Sequence, residues 1–488
     1  MEDGEISKIP IPKERKLWYD NIKVISEERG PGPLRKYAVR LFLLAGLMAL
    51  LTGCFSQSAD DLYTPPKPPS DYQQLDAKIK EVIATGAEYA APLQGTYTQQ
   101  VQLMDLDGDG VQEAIAFFRV PQPKEDELPL KIYIYRQDAA GDYQVETVIQ
   151  GDGTAINSIS YVDLDGEEDR ELVVSWQFSS QVYQLMAYDI RDGEAEELMR
   201  AASYTDYAIM DLDMDNRQEI VALTIRPIEG KFQADFYDFD DAEGSMVLKS
   251  SAPLSAGIAG IAESIDRSRA YYLRENIPAL YVTSYISNPT PGVITDILAL
   301  RNGELTNITL SGETGQSDAT FRINASVSAR DIDGDLVLEL PQPTALPDAE
   351  KTAAADNFWS VRWVQYDLEG RGWPVYNTYY NGEDGWYLIL PDAWENKIAL
   401  SRADKSSSGE RAVVFSYWDG GEFSQPEKFL TIYKLTGLNR TTRSKLPGRF
   451  ILHTESDTIY AAEFAEGAGW DCGLTEETLP DLFRLIQS

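Results

Sequence analysis

A nine-residue acidic loop constrains this chain more than any other stretch. It reads Asp105-Leu-Asp107-Gly-Asp109-Gly-Val-Gln-Glu113, with acids at positions one, three, five and nine. Val101 and Leu103 alternate before it, and the apolar run 114–118 follows. Carboxylates two residues apart around a glycine can wrap a hard cation such as Ca2+. The spacing returns at Asp163, Asp165, Glu167 and Glu171, at Asp211, Asp213, Asp215 and Glu219, and at Asp331, Asp333, Asp335 and Glu339. The step from 211 to 331 is much the longest, leaving room for a degenerate unit. Its expected place is 261–266, followed by the strand-like run 279–283.

Between the loops lie short runs of strand-forming residues, such as Leu172-Val-Val-Ser-Trp176 and Tyr183-Gln-Leu-Met-Ala-Tyr188. Turn residues separate them. A period of about 50 residues with several short strands per unit points to a β-propeller of four-stranded blades. One such sheet cannot bury both its faces, so neighbours must stack.

The acidic loop followed by a buried strand resembles the FG-GAP/VCBS-type repeat of extracellular β-propellers, over roughly 90–345. The resemblance implies that loop positions one, three, five and nine hold Ca2+, with a backbone carbonyl from position seven. The implied ligands are the sixteen acids named above. Position six is Gly110 in the first loop and Asn216 in the third, both tolerant of a left-handed turn. It is Glu168 in the second and Leu336 in the fourth, so the first and third loops rank higher as sites. An EF-hand would need an acid at position twelve and flanking helices. That position holds Ala116, Val174, Ala222 and Gln342, and strand-like residues follow the first three loops. Metal-free acidic hairpins are the other alternative; four copies of one spacing argue against them for the first and third loops and leave them open for the second and fourth.

The ends of the chain read differently. Residues 1–53 are an N-terminal extension and signal: Arg35, Lys36 and Arg40 precede an uncharged run from Leu41 to Gly53. That run is too short to span a bilayer, which takes about 20 residues, and it fits a secretory h-region. Its end, Leu51-Thr-Gly-Cys54, resembles the bacterial lipobox. The resemblance implies lipidation of Cys54 and a protein anchored to the outer face of the cell membrane. The arrangement is similar to repeat lipoproteins of Gram-positive bacteria. Residues 54–71, with Pro65-Pro-Lys-Pro-Pro69, form an extended tether. From Tyr72 to Gly86 the chain reads as an amphipathic helix, with Leu75, Ile79, Val82 and Ile83 capping the first repeat.

The propeller is expected over 72–394 and a small α+β domain over 395–488. Five strands are expected in that domain, then a helix capped by Thr475 or Thr478 that covers the sheet with Leu479, Leu482, Phe483 and Ile486. Residues 358–394 are dense in tryptophan and tyrosine. Trp373 and Trp386 could stack on sugar rings, although packing in the core and between blades is the preferred reading of such residues.

The formal net charge is −36. Such a surface repels nucleic acid phosphates. One histidine and two cysteines argue against a His-rich zinc site, a Ser-His-Asp triad or a disulfide framework. Sequence motifs for a nucleophile elbow, a phosphate-binding loop or a dinucleotide site are missing. Paired carboxylates abound, yet an active site is single, whereas these loops are copied. The expected function is a surface-anchored, Ca2+-stabilised binding or scaffold module for an extracellular protein or glycan. A carbohydrate-active or carbohydrate-binding lipoprotein using 359–394 is the alternative.

Overall fold

The computed structural model describes residues 70–486, apart from 192, 264–270, 288–289, 324–325, 351–357, 405–408 and 422–424. The expected signal, Cys54 and the tether lie outside the described residues, as does Asp266. The described chain is mainly β. Residues Gln74–Ser488 form one compact unit, and the expected boundary at 394/395 falls inside it.

Six antiparallel sheets follow one another along the described chain. Sheet 1 comprises Glu88–Tyr89, Val101–Met104, Glu113–Arg119, Leu130–Gln137 and Tyr143–Gly151. Sheet 2 comprises Ala155–Val162, Glu171–Ser179, Val182–Arg191 and Glu194–Tyr204. Sheet 3 runs through Asp206–Met210, Glu219–Arg226, Lys231–Asp240 and Ser245–Pro253. Sheet 4 contains Ile258–Ile261, Tyr271–Leu273, Ile277–Ile286, Gly292–Arg301 and Glu304–Asn307, the degenerate unit expected from the long step. Sheet 5 contains Leu340–Leu346, Phe358–Tyr366, Gly372–Asn381 and Trp386–Ile389. Sheet 6 contains Ile398–Arg402, Glu410–Tyr417, Glu427–Thr436, Arg449–Thr454 and Thr458–Phe464.

Alternation along a strand explains how the sheets stack. In Glu113–Arg119, Ile115 and Phe117 pack with Leu172, Val174 and Trp176 of sheet 2. Ala114, Ala116 and Phe118 face the other way, against Leu75 and Ile79 of helix α1, Ser70–Ala84. Val82 is half-buried there, whereas Ile83, expected on the same face, is exposed. The pattern repeats. Val173 of sheet 2 packs with Ile220 and Ala222 of sheet 3. Val221, Leu223 and Ile225 pack with Leu280, Val282 and Ile294 of sheet 4. Sheets 4 and 5 share Ala279, Ile297, Leu340 and Val364, and sheets 5 and 6 share Tyr379, Trp386, Phe415 and Leu430. Small antiparallel meanders stacked face to face in chain order are propeller-like blades.

The C-terminal expectation needs correcting. The five strands form, but the covering helix does not. Leu479–Asp481 is a single 3-10 turn, and Thr478 makes no side-chain capping bond there. Phe483–Leu485 then adds to the free edge of sheet 5, with Phe483 opposite Leu388 and Leu485 opposite Trp386. The spacing of 479, 482, 483 and 486 suits a helix. An open strand edge, however, offers a row of unpaired backbone partners. Residues 395–488 are therefore a sixth blade plus the closing strand of the fifth, not an α+β domain.

Candidate metal centres

The four acidic loops fold alike because their own carboxylates hold them. The position-five N–H donates to the position-three carboxylate in all four: Asp109 to Asp107 at 3.2 Å, Glu167 to Asp165 at 3.0 Å, Asp215 to Asp213 at 3.1 Å and Asp335 to Asp333 at 3.3 Å. Positions four and six are left-handed throughout, with φ of 70° and 85° at Gly108 and Gly110, 84° and 70° at Gly166 and Glu168, 65° and 74° at Met214 and Asn216, and 84° and 70° at Gly334 and Leu336. The ranking by position six is thus not a ranking of geometry. Glu168 and Leu336 take the same turn as Gly110, at a cost of roughly 1–2 kcal/mol each.

Position nine begins a buried strand in the first three loops and directly precedes Leu340–Leu346 in the fourth, and its glutamate is buried in every loop: Glu113, Glu171, Glu219 and Glu339. Each Oε2 accepts the position-two N–H, from Leu106 at 2.9 Å, Leu164 at 2.5 Å, Leu212 at 2.6 Å and Ile332 at 2.7 Å. The Oε1 atoms differ. Those of Glu113, Glu171 and Glu219 are buried with no hydrogen-bond partner among the described residues. That of Glu339 accepts the Gln365 amide at 2.7 Å. A buried acceptor left without a donor costs about 1–3 kcal/mol, and more if charged.

In the third loop, oxygens of Asp211, Asp213, Asp215 and Glu219 lie within 4.8 Å of one another. The first loop brings together Asp105, Asp107 and Glu113, the second Asp163, Asp165 and Glu171, and the fourth Asp331, Asp333 and Glu339. Asp109, Glu167 and Asp335 stand outside these groups. Asp109 and Glu167 turn to Arg136 and Arg191, at 3.6 and 3.1 Å, and Asp335 accepts Gln365 at 2.9 Å.

Sequence reasoning missed what the next strand brings. Leu172 pairs with Tyr188 and Ile220 with Tyr237, so Asp189 and Asp238 stand beside the position-nine glutamates. Asp189 joins Asp169 and Glu171 in a second acidic group. The same register brings Arg136 and Gln365 to loops one and four. Arg136 pairs with Asp107, and Arg191 reaches Asp165 at 2.5 Å and Asp189 at 2.6 Å. The only trace in the sequence is the recurring Tyr135-Arg, Tyr188-Asp and Tyr237-Asp pairs.

Crowded burial raises these carboxyls. Burial first, then neighbouring acids, pushes Glu171 and Glu219 up to about 8 and Glu339 to about 7. Burial also raises Glu113, and lifts Asp189 to about 6. Such groups hold a proton or a cation in place of bare charge.

Only one of the two tryptophans expected in a sugar platform reaches the surface. Trp386 is 1 % exposed and packed between Tyr379 and Phe483. Trp373 is 44 % exposed, but Arg274 lies 5.1 Å from its ring centre and its indole N–H donates to Asp367 at 3.0 Å. A cavity of about 320 Å³ instead opens between sheets 5 and 6, lined by Ser360, Arg362, Asn377, Glu395, Asn396 and Trp418 among others. Arg362 and Glu395 face each other there at 3.5 Å.

No family model and no curated protein sequence matches the chain. Among solved structures it is similar to the exotype rhamnogalacturonan lyase YesX, at 13 % identity and a TM-score of 0.24 over 68 % of this chain and 71 % of that one. It is also similar to the Dos1 propeller, at 10 % identity and 0.23 over 70 % and 84 %. TolB from Acinetobacter baumannii gives 11 % identity and 0.22 over 74 % and 72 %. At these scores the architecture is read from the sheets themselves.

Proposed function

We propose that this chain is a Ca2+-stabilised, propeller-like binding or scaffold module, carried outside the cell on a lipid at Cys54. Three buried glutamate oxygens without partners, each inside a ring of carboxylates, carry the cation reading. The donor set is all oxygen, which suits Ca2+ and Mg2+ over softer metals. Asp211, Asp213, Asp215 and Glu219 would hold the ion in the third loop, and the corresponding acids in the others. Bound there, Ca2+ supplies positive charge that lets the acids stay ionised at a blade edge. Extracellular modules of this kind bind Ca2+ at roughly 10⁻⁴–10⁻³ M. Chelation with EDTA should lower the melting temperature, and millimolar Ca2+ should restore it. An unchanged transition would remove the cation from the reading. For the anchor, metabolic labelling with a radioactive fatty acid should be lost in Cys54→Ser.

A glycan reading moves from the buried tryptophan to the cavity between sheets 5 and 6. Its hydrogen-bonding groups and the half-buried Trp418 suit a hydroxyl-rich ligand. Titration with a panel of monosaccharides and disaccharides tests it. Binding that persists unchanged in Asn377→Leu and Trp418→Ala would place the sugar elsewhere.

A further inference from the structure

The acidic loops are not isolated from one another. The position-eight N–H of the second loop, at Arg170, donates to the Leu106 carbonyl of the first at 2.7 Å. The corresponding N–H of the third, at Gln218, donates to the Asp163 carbonyl of the second at 2.9 Å. Side-chain space tells the same story. A Cβ on Gly108 would stand 3.1 Å from the Glu168 carbonyl oxygen, and one on Gly166 would stand 3.0 Å from Arg217 Nε. Position four is therefore glycine wherever another acidic loop presses on it. In the third loop it is Met214, 62 % exposed, and the sheet that follows has lost its acidic loop.

The fourth loop is different. A Cβ on Gly334 would meet nothing within 4 Å, and the Leu338 N–H donates to Tyr272 of sheet 4 at 3.2 Å. Its Glu339 is already served by Gln365.

We propose that the first three loops bind divalent cations as a coupled row, in which filling one raises the affinity of its neighbour. The fourth stands outside the row. This rests on the cation reading above. The path is short. Position eight precedes the buried glutamate, and its N–H grips position one or two of the preceding loop. Leu106, gripped in this way, is also the residue whose N–H Glu113 holds. An ion that draws Glu171 into place therefore fixes Arg170 and, through it, the entry of the first loop. The ordering cost of the shared backbone falls on the first ion and is reduced for the next. Each bound ion also weakens the negative field at its neighbour, which opposes coupling. Salt near 0.15 M screens only the solvent-exposed part of that field, over distances beyond about 8 Å; in the proposed row the linked backbone outweighs the remainder.

The test is calorimetric titration of Ca2+ into the chelator-stripped full chain at 0.15 M NaCl. The expected isotherm is cooperative and involves more than one ion. Asp213→Asn in the third loop should remove one ion and weaken the remaining ones at least about 5-fold, the lower end of common coupling energies. Asp333→Asn in the fourth loop should leave those affinities unchanged. Arg217→Ala clears the side chain that lies over Gly166, together with its ion pairs to Asp215 and Asp241, and should reduce the cooperativity while keeping the number of ions. Independent sites in the wild type, or Asp213→Asn removing one ion with the rest unaffected, would overturn the coupling and leave the cation reading standing. Absence of any Ca2+ binding by the wild type would end both. If Asp213→Asn fails to fold by circular dichroism, Asp107→Asn in the first loop takes its place: loss of one ion with the affinities of the rest unchanged overturns the proposal.

Discussion

Glu171 and Glu219 illustrate how a single side chain reports on the state of its loop. Burial holds both carboxyls near 8 in the folded chain, against an ordinary 4.5. Between those values each is protonated when folded and ionised when unfolded, so the unfolded state binds fewer protons. Stability then falls as pH rises through that window. In EDTA, the melting temperature should decline from pH 5 to pH 8, and saturating Ca2+ should flatten the decline. Glu219→Gln, which cannot ionise, should also shrink it; an equally steep decline in that variant would mean that other groups set the profile. Much at this scale was legible beforehand. The 1-3-5-9 spacing located four loops in which positions one, three and nine converge, joined by position five only in the third, and the run after position nine marked a buried strand in the first three. Asp189, Arg136 and Gln365 were not legible, because only the register of the next strand brings them to the loop. Trp386 carried two readings, since stacking and packing demand the same side chain, and its burial favours the packing one.

Among elements, the last strand is the most instructive. Leu479 is buried in the cluster shared by sheets 5 and 6, and Phe483 lies against Trp386 and Tyr460. Phe483→Ala should cost about 3–5 kcal/mol, as large-to-small core substitutions do. Leu438→Ala, at a fully exposed turn, should stay within about 0.5 kcal/mol. Urea melts of both variants check the contrast, and equal effects would contradict the strand's part in sheet 5. Its sequence reads as a helix because apolar spacing over so short a stretch fits either period. What decided the outcome was a vacant edge nearly a hundred residues upstream in the chain, and no local pattern encodes that. The repeated blades were legible for the opposite reason: each is a local meander whose strands and turns lie within one repeat.

For the molecule as a whole, the sheets are joined by hydrophobic clusters that each span one neighbouring pair. Stability of this kind is close to a sum of nearest-neighbour terms. Phe415→Ala, at the junction of sheets 5 and 6, should speed amide exchange in those two sheets and leave the protection of sheets 1 and 2 intact. Uniform acceleration across all six would show that the chain opens only as one body. The net charge of −36 acts on every sheet alike. Raising NaCl should therefore give a modest, general gain in melting temperature, while Ca2+ should act at far lower concentration.

Closing sheet 5 with residues 483–485 has a consequence for how the protein is made. Synthesis must run through the entire sixth sheet before the partner of Trp386–Ile389 exists. The nascent chain thus carries an uncovered ladder of amide groups while its earlier blades are already assembled. Such an edge invites other chains to pair with it. A stop codon after residue 478 would leave that hazard permanent, so the shortened product should accumulate in aggregates rather than merely melt at a lower temperature.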